Sequence, residues 1–167
     1  LNWNLTQIFA WMLEDHLKER LYSAVLAGTE WNLVVTTAGI RLFIEGYSEK
    51  QELFVETILN EMFRFKIDLR HFEDAYDGYY GDVKGFEGER PQQMGIYYLE
   101  LILNEQMWSN EELAVAMKVV TVCRLKSFVK EVLTQAYGEC FIFGNVDEDR
   151  ALKLAAIVED RLSRARN

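Results

Sequence analysis

An α+β fold, rich in helix and with a small antiparallel sheet packed against the helices, is predicted by three features of the sequence. Apolar residues recur at helical spacing through most of the chain, and two runs rich in β-branched and aromatic residues stand close together near residues 30–45. Strand-like segments are separated by a long helical stretch, which places several helices between strands and argues against alternating βαβ units.

Taken in order, Leu5, Ile8, Phe9, Met12, Leu13 and Leu17 form the apolar stripe of a first helix. A second helix is expected over about 18–27, ending at Gly28, which accepts left-handed backbone angles without the clash a Cβ would make. Residues 30–36 and 40–45, joined through Thr37, Ala38 and Gly39, should pair as an antiparallel hairpin. Ser48 with Gln51 reads as a capping box for a helix reaching about Phe65, and Asp68 caps another running to about Phe86. Gly85, Gly88 and Pro91 mark a turn before a helix at 92–104, whose stripe is Met94, Tyr97, Tyr98, Leu101 and Ile102. Ser109 with Glu112 forms a second capping box, and Thr121 caps a helix holding Leu125, Phe128, Val129, Val132 and Leu133 inward. Residues 139–143, with Cys140, Phe141, Ile142 and Phe143, read as a short buried strand closed by Gly144 and Asn145 and joining the hairpin's sheet. Asp147 then caps a last helix with Leu152, Leu154, Ala155, Ile157, Val158 and Leu162 facing inward.

The length of 167 residues suits one domain spanning 1–167, long enough to bury a substantial core. Half of the residues are apolar and only one is proline, so disorder is excluded as the dominant state. The excess of 27 acidic over 18 basic residues gives a formal charge of -9, which repels a phosphate backbone and argues against nucleic acid as a partner. Cys123 and Cys140 are too few for a disulfide framework and sit within apolar patterns, so both are expected as reduced core residues in a cytoplasmic protein. No apolar run approaches the roughly 18 residues that span a membrane. The chain opens within a helix and without an initiator methionine, as a domain cut from a longer polypeptide would.

His16-Leu17-Lys18-Glu19-Arg20 begins like the inverted zinc-peptidase signature H-x-x-E-H, in which two histidines on one helical face bind Zn²⁺ and the glutamate activates water. Arg20 stands where the second histidine belongs, and a guanidinium has only donors. His16 reads equally well as a surface residue of an amphipathic helix. His71, with Glu73 and Asp74, offers too few ligands for a metal, and mixed charge on a solvated helix face explains it. Glu73, Asp74, Asp77, Asp82, Glu87 and Glu89, interleaved with Tyr76, Tyr79, Tyr80 and Phe86, read as a solvated face, with recognition of basic or peptide partners as the alternative. No G-x-S-x-G elbow and no cysteine next to histidine supports nucleophilic catalysis, and the glycines at 78, 81, 85 and 88 lie among acids that repel phosphate. Arg161, Arg164 and Arg166 complement the dipole of the last helix. No catalytic or metal-binding residue is assigned to this chain, and the sequence names no substrate-binding residue.

The run Ala24-Val25-Leu26-Ala27-Gly28-Thr29-Glu30-Trp31-Asn32-Leu33 resembles the third, non-catalytic domain of the insulysin and pitrilysin family of zinc metallopeptidases. The likeness continues through Gly46-Tyr47-Ser48-Glu49-Lys50-Gln51, Glu89-Arg90-Pro91-Gln92-Gln93 with Tyr97-Tyr98-Leu99, Leu125-Lys126-Ser127-Phe128, and Gly144-Asn145. In that family two bowl-like halves, each of two homologous α+β domains, close over a chamber, and zinc in the first domain cleaves short peptides. The resemblance implies a chain from the second half, with no cofactor of its own, zinc in the parent enzyme's catalytic domain, and the other domains and peptide substrates as partners. It also implies that strands which precede the first helix in the family are missing here, leaving an exposed sheet edge that pairs with a second copy. The function expected is a non-catalytic part of the chamber that encloses and orients peptide; the alternative is a free-standing, inactive interaction domain of the same ancestry.

Overall fold

The computed structural model describes residues 1–166, without the side chains of Glu87 and Arg166. The parts given above to those two side chains, in the acidic cluster and at the last helix's dipole, therefore fall outside the described residues. Helix α1 (Asn2–Leu26) is one continuous helix of 25 residues, where the sequence suggested two. Nothing between Leu17 and Lys18 breaks the backbone ladder, and Leu13, Leu17 and Leu21 continue one buried row at a spacing of four. The helix stops where expected. Gly28 has φ +88, its N–H donates to the Val25 carbonyl at 3.0 Å, and the Thr29 N–H donates to the Ala24 carbonyl at 3.1 Å, the Schellman pattern that satisfies the last carbonyls.

Strands β1 (Glu30–Thr36) and β2 (Gly39–Glu45) pair antiparallel, with Trp31 opposite Ile44, Leu33 opposite Leu42 and Val35 opposite Ile40. These six side chains pack on the core, while Asn32, Val34, Arg41 and Phe43 face outward, the alternation that a half-buried sheet requires. The link is tighter than expected: two residues, Thr37 and Ala38, with Gly39 at φ +140 already in register.

Residues 139–143 do not join this sheet, which has two strands. They run as irregular chain with Phe141 and Phe143 92% and 91% exposed. The apolar run has the composition of a strand, but a strand forms only where a neighbour supplies its hydrogen bonds, and none of the described residues does so here. The cysteines are likewise corrected: Cys123, in the first turn of the helix that starts at Val122, and Cys140, in this irregular segment, are both exposed.

Helix α2 (Gln51–Arg64) follows a 3₁₀ turn at Ser48–Lys50, so Ser48 lies inside the turn instead of capping α2; the Gln51 side chain donates instead to the Gly46 carbonyl at 3.2 Å. The other caps stand as read. Asp68 accepts from the His71 N–H at the start of α3 (Leu69–Gly85), at 3.0 Å. Ser109 and Glu112 exchange both bonds of the capping box of α5 (Asn110–Met117). Thr121 caps α6 (Val122–Thr134), and Asp147 accepts from the Arg150 N–H at the head of α7 (Glu148–Arg166). Helix α4 (Pro91–Leu103) forms with proline at its first turn, yet none of its residues is buried and Ile102 is 81% exposed. In α7, Leu154 is buried as expected, whereas Leu152 faces solvent.

The core is built around α1, which touches α2, α3, α5, α6 and β1, while α7 lies against α2 and α6. Ile8, Leu13 and Leu17 of α1 are fully buried with Ile58, Met117 and Leu125 from three surrounding helices. Each such side chain contributes about 1.5–3 kcal/mol relative to exposure. Glycine at position 78 lets α3 approach α1, because a Cβ there would lie 2.4 Å from the Trp11 ring.

One polar residue sits in this apolar environment. Asn4 is fully buried, its amide donates to the Leu113 carbonyl at 2.9 Å, and its oxygen accepts from the Tyr79 hydroxyl at 3.1 Å, joining α1, α3 and α5. Replacing Asn4 with alanine strands two buried partners and should cost about 2–4 kcal/mol, read as a lowered urea midpoint with unchanged slope. A loss below about 0.5 kcal/mol, the range of ordinary surface substitutions, would show that this network does not hold the three helices.

Candidate functional site

The 3₁₀ turn after α3, the α4–α5 loop and the head of α1 enclose an open groove of about 810 Å³. Its walls are aromatic: Trp3 from α1, Tyr79 from α3, Phe86 from the 3₁₀ turn, Tyr97 from α4 and Trp108 from the α4–α5 loop. Trp3 and Trp108 meet with ring centroids 5.8 Å apart, and Phe86 and Tyr97 at 4.3 Å. The Tyr97 hydroxyl accepts from the Asn110 N–H at 2.7 Å, one of the unpaired donors at the start of α5, and so ties α4 to α5. Thr36 and Thr37 at the hairpin turn close one end.

Tyr79 forms part of the floor. Burial pushes its phenol up to about 12, against an opposing hydrogen bond with the Trp3 side chain, so it stays protonated and serves as a donor to Asn4. Among the described residues the groove's charged lining is Asp82 and Glu105, with no lysine or arginine. Aromatic faces with a few acceptors can hold apolar or cationic groups; among the described residues of the lining there is neither a nucleophile with a base nor a phosphate cradle.

The acidic and tyrosine cluster read from the sequence is divided by the fold. Glu73, Asp74 and Asp77 face solvent, and Tyr76 turns inward to donate to the Met117 carbonyl at 3.1 Å. The Lys84 ammonium lies 4.6 Å over the Tyr80 ring. Among the described residues of that cluster, Tyr79, Asp82 and Phe86 reach the groove. Trp3, Tyr97 and Trp108, which complete it, belong to no local motif; chain topology alone brings them together.

His16 is not a bare surface residue. Its Nε2 donates to the Glu61 carboxylate of α2 at 2.7 Å, and its ring lies 5.3 Å from that of Phe65. Glu19 and Arg20 are exposed. Among the described residues no three histidine, cysteine, aspartate or glutamate side chains are grouped to hold a metal, and the His16 nitrogen that would face an ion is taken by Glu61, so the residues here do not fit zinc. His71 instead binds its own cap, Nδ1 to Asp68 at 2.5 Å; that bond is the main cause of the raised His71 pKa and the lowered Asp68 pKa.

The fold and the groove define a helix-rich α+β module. Residues 1–116 match the family described as the middle or third domain of peptidase M16, and the chain belongs to that family. It is 40% identical to the insulin-degrading enzyme of Drosophila melanogaster over 162 residues, and 35% identical to the insulin-degrading enzyme of Homo sapiens over the same length. A putative zinc protease of Caenorhabditis elegans is 26% identical over 89% of the chain. The alignment covers 97% of this chain but 16% of either insulin-degrading enzyme.

The His16 hydrogen bond, aided by Arg20 and Arg64, lowers the Glu61 pKa from its ordinary 4.5 against the opposing effect of burial. A carboxylate with a depressed folded pKa adds stability above the unfolded value, and that stability is lost as pH falls through the folded one. Glu61→Gln should therefore be less stable than the parent near neutral pH, with the gap closing as pH falls through and below the ordinary carboxylate range in urea titrations across pH. A gap that stays constant with pH would assign the loss to packing.

Proposed function

We propose that this chain is a non-catalytic domain of an insulysin-like zinc metalloendopeptidase and forms part of a closed chamber that binds and orients peptide substrates. Cleavage takes place at a zinc site on another domain, and the protein acts in the cytoplasm. The observation that supports this reading most directly is the aromatic groove: five rings around about 810 Å³ offer sequence-tolerant contacts to an extended peptide, and the hairpin turn stands at its rim. Holding the peptide on a preformed surface lowers the entropy still to be lost when its scissile bond reaches the remote zinc.

Partners within the parent protein follow from the same reading. Helix α4 leaves Ile96, Leu99, Ile102 and Leu103 exposed, an apolar surface that a neighbouring domain would cover. The outer sheet face, with Val34 and Phe43, is the surface through which two copies would pair.

Trp108 is half-exposed at the groove rim and is not one of the buried core residues. In the intact protein, Trp108→Ala should raise KM for peptides about three- to tenfold with kcat within about twofold, the signature of lost binding common to ground and transition states. An unchanged KM, with unchanged affinity for a fluorescent peptide, counts against a substrate role for the groove. Light scattering over a concentration series should detect a dimer that Phe43→Glu dissociates; a strict monomer removes the pairing part of the proposal.

A further inference from the structure

A second groove, of about 680 Å³, lies where the end of α2 and its link to α3 meet α6 and α7, and it shares no lining residue with the aromatic groove. Its rim carries Arg64, Lys66, Lys126, Lys130, Arg161 and Arg164. These are six of the chain's 18 lysines and arginines, gathered in a protein whose formal charge is -9, and none of the described acidic residues lines the groove. Arg164 is held by Asp160 at 2.8 Å, but Lys66, Lys126, Lys130 and Arg161 have no carboxylate in ion-pair reach among the described residues. Lys126 and Lys130 stand one turn apart on α6, Arg161 and Arg164 three residues apart on α7, so cations of two helices and the 64–66 corner repel one another across the gap. A counter-charge entering the groove would meet cations from all three segments.

The floor decides which counter-charge. Phe63, Phe65, Ile67, Val129 and Leu133 line the bottom, so the groove is apolar at its base and cationic only at its edges. Inorganic polyphosphate would satisfy the edges and leave this base uncovered. An acidic amphipathic peptide segment satisfies both, with apolar side chains seated on the floor and carboxylates on the rim.

We infer that this groove is a docking site for an acidic amphipathic peptide segment. The α2 corner, α6 and α7 each contribute cations, so the site exists only when the three are packed together.

The test uses the intact protein and a fluorescein-labelled peptide of repeating leucine and glutamate, followed by anisotropy. Binding should weaken about tenfold in Lys126→Glu/Lys130→Glu and about threefold in Lys126→Gln/Lys130→Gln, which removes the charges without reversing them. It should also weaken with added salt, and about tenfold when serine replaces leucine in the peptide. Both lysines are exposed, so circular dichroism of the variants should match the parent. No binding, equal binding by the lysine variants, or undiminished binding of the serine peptide would overturn the proposal. Equal displacement by tripolyphosphate at matched charge would overturn it in favour of a plain polyanion site.

Discussion

The structure depends on the burial of one helix. Helix α1 is enclosed by four other helices and the sheet, so its apolar residues are not confined to one stripe: Leu5, Ile8 and Leu13 are buried alongside Asn4 and Ala10 on other sides. A helix used this way needs every neighbour in place, and each neighbour relies on it in turn. The polar contact at its head sets the arrangement. Asn4 can satisfy both ends of its amide only when the Tyr79 hydroxyl of α3 and the Leu113 carbonyl of α5 stand on either side of it, so a shift of either helix strands a buried polar group. Apolar packing supplies most of the stabilisation, and this amide selects one packing among several.

The same contact links core and groove. Tyr79 belongs to both, as the partner of Asn4 and as part of the aromatic floor, and Trp3 lies one residue before Asn4 on α1. The groove's floor is therefore anchored in the buried core, while its outer wall, with Tyr97 and Trp108, belongs to the less enclosed α4 and the loop after it.

Electrostatics separate the two grooves. The aromatic one is lined by Asp82 and Glu105 and the other by six cations, so a net charge of -9 conceals surfaces of opposite sign. Net charge argues about the average surface and says nothing of its distribution, because helices distant in sequence decide which charges become neighbours.

What the sequence by itself determined is local or carried by motif order. Gly28 ends α1, Asp68, Ser109, Thr121 and Asp147 start their helices, and the alternation through Trp31, Leu33 and Val35 sets the face of the hairpin, because each depends on residues within a few positions. The family was also legible, since short motifs in fixed order survive without any knowledge of contacts. Only the tertiary structure decided the rest. Residues 139–143 have a strand's composition but no partner among the described residues, the stripe of α4 is only half covered at Met94, Tyr97 and Leu101, and the cysteines fall on the solvent side of their apolar patterns. Trp3 and Trp108, and the cations of α2, α6 and α7, become sites through packing between remote segments. Hydrophobic pattern tells a residue to seek burial, and only the other elements determine whether burial is there to be found.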